Sequence, residues 1–92
     1  MKIRYSEEAI GDLQRLRSFI AEHNPSAAAR IGAELAERIE MLADFPAMGQ
    51  AVEAAPQPDT IRDMIFGNYV VRYLPSKSAI IILRIWHHFE ER

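Results

Sequence analysis

The 92-residue chain predicts an α+β domain in which a small antiparallel sheet packs on an N-terminal α-helical hairpin. Three observations carry that prediction. Two early stretches repeat apolar residues at three- and four-residue intervals. A proline directly follows the asparagine that separates them. The stretch from Ile61 to His88 alternates β-branched and aromatic residues around Gly67-Asn68, the kind of two-residue loop that closes a hairpin. The expected order is β-α-α-β-β-β, one domain over residues 1–92.

Lys2–Tyr5 is short and alternating and reads as a first strand. Ser6 is placed to cap the helix that follows, with Glu7 and Glu8 in the first turn, where free amides and the helix dipole favour negative charge. Ala9, Ile10, Leu13, Leu16, Phe19 and Ile20 give this helix an apolar stripe, while Asp12, Gln14, Arg15 and Arg17 fill most intervening positions. His23-Asn24-Pro25 ends it and starts the next, since proline at a first helical position loses no hydrogen bond. So short a link folds the second helix, 25–43, back antiparallel. Its stripe is Ala28, Ile31, Leu35, Ile39 and Leu42, and Ala27-Ala28-Ala29 with Gly32 predicts close approach of the two backbones. Glu34 and Arg38 are spaced for a surface ion pair. Residues 47–60, with Gly49, Pro56 and Pro58, show neither period and read as a loop of functional or spacer character.

The hairpin turn sets a register in which Phe66 faces Tyr69, Met64 faces Val71, Asp63 faces Arg72 and Arg62 faces Tyr73. Side chains alternate across a strand, so the sheet has two faces. One carries Ile61, Ile65, Val70, Leu74, Ile81, Leu83 and Ile85 with an Asp63–Arg72 pair, and is the face expected beneath the helices. The other mixes Arg62, Met64, Phe66, Tyr69, Val71, Tyr73, Ile80, Ile82, Arg84 and Trp86. That mixture suits either arginine stems lying over aromatic rings beneath a loop or partner, or a platform for an acidic partner or nucleic acid.

Composition bounds the function. Nearly half the residues, 49%, are hydrophobic and 26% are charged, which is globular composition. There is no cysteine, which excludes disulfides and thiol catalysis. No apolar run approaches the roughly 20 residues of a membrane helix, and a cytoplasmic protein is expected. The net charge of −2 argues against general nucleic-acid binding. Residues 1–60 hold six Lys/Arg against ten Asp/Glu, and residues 61–92 five against three, so the sheet half is the basic half.

The order of elements and several landmarks resemble the RelE/ParE superfamily, the toxins of bacterial type II toxin–antitoxin modules. The landmarks are Tyr5-Ser6 with Ala9 and Leu13, Asn24-Pro25 with Ala28 and Ala29, Leu42-x-x-Phe45-Pro46-x-x-Gly49, Tyr69-Val70-Val71-Arg72-Tyr73, and Ile82-Leu83-Arg84-Ile85-Trp86-His87. The resemblance implies a cognate antitoxin, ParD-like or other, that lays an amphipathic helix on the helical hairpin. Leu16, Phe19 and Ile20, taken as an exposed ridge, are its candidate contacts.

In that superfamily the RelE branch cleaves mRNA on the ribosome and the ParE branch poisons DNA gyrase. RNA cleavage needs a base, an acid and phosphate-binding cations, for which His87, Arg84 and Arg62 are the candidates. The resemblance favours the ParE branch. The arginine that RelE-type sequences carry after the aromatic of this strand is Val70 here, lysines are few, and the chain is acidic. A gyrase inhibitor acts by protein–protein binding, with Arg62, Tyr73, Arg84, Trp86 and His87 as contact candidates. It requires no cofactor, no metal and no sequence-specific DNA contact. His87 and His88 are adjacent on alternate faces, which denies them a shared metal. A ribosome-dependent ribonuclease and an inactive homologue kept for antitoxin binding and corepression are the alternatives.

Overall fold

The computed structural model describes residues 1–52 and 60–90. Strand β1 (Lys2–Tyr5) leads into helix α1 (Glu7–His23), a 3-10 turn over Pro25–Ala27, and helix α2 (Ala28–Met41). Strands β2 (Gln50–Ala51), β3 (Arg62–Phe66), β4 (Tyr69–Pro75) and β5 (Ala79–His87) follow. The sheet order is β1-β5-β4-β3-β2.

Local chemistry sets the boundaries as expected in most places. Ser6 caps α1, its Oγ accepting from the Ala9 amide at 3.0 Å. Asn24 closes α1 rather than capping α2 with its side chain: its amide donates to the Ile20 carbonyl at 2.7 Å. Helix α2 ends at Met41, two residues early, because the amides of Leu42, Ala43 and Asp44 turn back to carbonyls three residues behind. Glu34 pairs with Arg30 at 3.4 Å and not with Arg38, whose guanidinium lies 5.3 Å from the centre of the Phe66 ring.

The hairpin register is the predicted one, with Phe66, Met64, Asp63 and Arg62 opposite Tyr69, Val71, Arg72 and Tyr73. Gly67 takes φ +57°, the left-handed conformation the turn requires. Two features correct the expected sheet. It is mixed, because β1 runs parallel to β5. No short turn joins these two strands, so nothing local in the sequence sets their relative direction. Within 47–60, Gln50–Ala51 pairs with β3 as a short strand, and residues 53–59 lie outside the described residues.

The larger correction concerns which face is covered. The helices pack on the mixed face: Met64, Tyr69, Val71, Tyr73, Ile80 and Ile82 join Ala9, Leu16, Ile20, Leu35, Ile39 and Leu42 in the core. The face read as greasy points away from them, and Ile65 on it is 58% exposed. Burying tyrosines and phenylalanine removes more apolar area per side chain than burying aliphatics, which favours this choice. Ile85 joins the core although it was expected on the other face. Arg72 pairs with Arg84 but Tyr73 with Ile82, so a β-bulge at Leu83 shifts the alternation by one residue. The Asp63–Arg72 pair is present at 2.9 and 3.0 Å, on the helix-free face rather than the covered one.

Candidate functional site

Strand β1 stops opposite Ile82 while β5 runs on to His87, leaving the edge of β5 that faces away from β4 without a neighbouring strand beyond Ile82. Side chains take that strand's place. Ser6 Oγ donates to the Leu83 carbonyl at 2.9 Å, Asp12 Oδ2 accepts from the Ile85 amide at 2.8 Å, and Arg15 Nη2 donates to the Ile85 carbonyl at 3.0 Å. Glu90 Oε1 accepts from the His87 amide at 3.1 Å. Asp12 is the hub. Only 2% exposed, it receives Arg84 Nε and Nη2 at 2.9 and 3.1 Å and is also bonded by Arg15, which in turn holds Glu90.

Burial alone would push the Asp12 carboxyl up. Hydrogen bonds from Arg84, Arg15 and the Ile85 amide outweigh that and hold it down at about 2. Arg15 lowers Glu90, chiefly through its hydrogen bond, and the same bonds raise both arginines. The sequence reading missed Asp12, placing it on the polar side of α1. Its signal was positional, because Ala9, Asp12, Leu16 and Ile20 follow one another at helical spacing and are the buried residues of that helix.

The other candidates are placed as follows. Tyr73 is fully buried, its hydroxyl donating to the Pro46 carbonyl at 2.7 Å and accepting from the Gly49 amide at 2.9 Å. Arg62 grips the same loop, Nε to the Gly49 carbonyl at 2.7 Å and Nη2 to the Ala47 carbonyl at 3.3 Å. Both are scaffold for residues 46–49. Trp86 is half-buried, with the Arg72 guanidinium 5.1 Å from its ring centre. His87 sits among Tyr69, Phe19 and Phe89, with ring centres 4.9, 5.1 and 5.7 Å away, and its Nδ1 accepts from the Phe89 amide at 3.1 Å.

The ribonuclease candidates do not converge. Arg62 is level with Tyr73 and His87 with Tyr69, four residues apart along β4, or about 13 Å at strand rise. Arg84 is turned to Asp12.

Leu16 and Ile20 are buried and form no exposed ridge, and half-buried Phe19 packs against His23 in a tilted arrangement with ring centres 4.4 Å apart. Leu16 and Ile20 instead line the floor of a groove between α1 and α2. The small residues of α2 do not bring the backbones together. A side chain on Gly32 would meet nothing within 4 Å, and the space between the helices is an apolar groove of about 580 Å³.

With this geometry in view, comparison with known proteins is decisive at the family level. The family model described as the ParE toxin of the type II toxin–antitoxin system parDE matches residues 3–91. The chain belongs to the ParE toxin family. Among curated relatives, a protein named Toxin RelE1 from Caulobacter vibrioides is 35% identical over 89 residues, covering 95% of this chain and 92% of its own. Toxin RelE2 of the same organism is 29% identical over 87 residues, covering 94% and 93%. A solved structure titled as the chromosomal ParDE system of P. aeruginosa superposes with a TM-score of 0.78 over 95% of each chain at 18% identity. This ParE-family chain shares that fold, and its family is one of toxins paired with an antitoxin.

Proposed function

We propose that this ParE-family toxin inhibits DNA gyrase by binding it through the helix-free face of its sheet. We further propose that a cognate antitoxin neutralises it by laying an amphipathic helix into the groove between α1 and α2. The observation that supports the gyrase reading is the state of the cations. RNA cleavage requires unpaired cations around the phosphate and an acid and base within reach of it. Here Arg84 is paired with Asp12 and Arg72 with Asp63, Arg62 keeps its charge but commits two N–H groups to loop carbonyls, and His87 is packed among aromatic rings. What the helix-free face presents is Trp86 beneath Arg72, the aromatic and arginine pairing enriched at protein interfaces, with Ile65 exposed on the same face.

The groove supports the antitoxin reading by its size and its lining. About 580 Å³, bounded by Leu13, Leu16, Ile20, Ala29, Ala33 and Leu35 among others, accommodates the apolar face of one helix. No helix among the described residues is long and apolar enough to cross a membrane, and action in the cytoplasm is part of the proposal.

Ribosome-dependent mRNA cleavage is the second reading, favoured by the RelE1 name of the 35% identical relative. Titration of immobilised gyrase with antitoxin-free protein tests the first. Saturable binding is expected, and its absence in the presence of DNA and nucleotide would overturn the reading.

A further inference from the structure

The groove between the helices continues into a second exposed feature. Ala36 lines both the groove and an adjoining open hollow formed with Glu37, Glu40, Met41 and Asp44. From there the chain turns out of α2 through backbone bonds from Phe45 to Met41 and from Met48 to Phe45, at 2.9 and 3.0 Å. These turns leave Met41, Phe45 and Met48 exposed, Phe45 by 58%. Successive large apolar side chains in water mark a contact surface, and methionine is suited to fit a partner's shape.

The α2 side of this patch carries one sign of charge, while Arg62 borders its far side by holding the Ala47 and Gly49 carbonyls. Glu37, Glu40 and Asp44 form no ion pair among the described residues, whereas Glu34, on the same helix, pairs with Arg30, and Arg38 is turned to Phe66. The C-terminal end of α2 adds its own partial negative charge. A neutral or acidic segment seated here would strip water from three carboxylates and return nothing, while lysine or arginine would compensate each of them.

We infer that this patch docks the stretch of the antitoxin that continues beyond the groove helix, and that this stretch is basic and amphipathic. Its apolar residues lie on Met41, Phe45 and Met48, and its cations face Glu37, Glu40 and Asp44. The inference rests on the antitoxin reading of the groove. It also gives the bound segment a direction, with its basic part at the C-terminal end of α2.

The test uses the product of the open reading frame adjacent to this chain's own, purified and titrated against four forms of the full chain. These are wild type, Gly32→Trp to fill the groove, the triple variant Glu37→Lys, Glu40→Lys, Asp44→Lys, and Phe45→Ser. Unfolding midpoints confirm that each is folded. The expected result is binding weakened at least tenfold by the triple variant, with the salt dependence of the wild type flattened, and a clear loss from Phe45→Ser. Wild-type affinity for both, with loss only in Gly32→Trp, overturns the inference and leaves the groove reading standing. No binding by the wild type, or no effect of Gly32→Trp, overturns both.

Discussion

Arg84 and Asp12 stand 72 positions apart in the chain and are joined by two parallel N–H···O bonds of 2.9 and 3.1 Å. With the Ile85 amide and Arg15 on the same carboxylate, this pair ties α1 to the part of β5 that β1 does not reach. Asp12→Asn keeps the shape but removes the charge that both arginines need. Removing one partner of a buried pair leaves the rest uncompensated. Because the Arg84 side chain is 44% exposed, water relieves part of that cost. The expected loss is about 2–4 kcal/mol, read by urea unfolding.

The same carboxylate predicts an acid limb of stability. Its folded pKa is depressed to about 2 from an ordinary value of about 3.9. A depressed carboxyl contributes stability that is present above the unfolded value and lost as pH falls through the folded one. Between about pH 5 and pH 2 the wild type therefore loses about 2 kcal/mol through this group, with Glu90, also lowered, adding in the same direction. Asp12→Asn flattens that limb, and unfolding free energies measured across the window check it.

Gly49 is the tightest point of the loop held by Tyr73 and Arg62. A Cβ there would lie 2.7 Å from the Asp63 carbonyl oxygen and 2.8 Å from Tyr73 Cε1, and the first of these is backbone that cannot yield. Gly49→Ala is expected to cost about 1–3 kcal/mol. Tyr73→Phe, which strands the buried Gly49 amide, is expected to cost about 1–2 kcal/mol. Because Tyr73 is scaffold, the folded fraction of Tyr73→Phe keeps wild-type potency against the target, measured at matched folded concentration.

Much of this was legible in the sequence, and what was not has identifiable physical causes. Gly67-Asn68 fixed the hairpin register because the turn admits few alternatives, and Ser6 marked the helix start because its hydroxyl meets a free amide. The covered face was not legible. Both faces of the sheet are apolar enough to bury, and alternation says which residues share a face without saying which face the helices take. The bulge at Leu83 has no glycine to announce it, and Gln50–Ala51 is too short to show a period. Among the site candidates, Arg62 and Tyr73 both hold the 46–49 loop, a contact that no residue spacing announces. The charge of Asp12 points to the surface while its position falls on the buried stripe of α1, and the arginine partners that decide between the two lie far along the chain or on the exposed side of the helix.

Ile65 gives a surface probe of the helix-free face. It is 58% exposed, so Ile65→Asp costs little burial and about 1 kcal/mol of strand propensity. If the target docks on that face, the substitution weakens inhibition about tenfold, the usual scale for charging one contact of an apolar interface. Dose–response curves beside a thermal melt check both halves of the expectation.

The most direct measurement is supercoiling by purified DNA gyrase in the presence of refolded, antitoxin-free protein, beside ribosome-programmed mRNA cleavage on the same sample. Both assays are repeated with His87→Ala. The account predicts that supercoiling is lost with cleaved DNA trapped, that the message stays intact, and that His87→Ala still inhibits. Cut message with unaffected gyrase, abolished by His87→Ala or Arg84→Ala in folded protein, would contradict it.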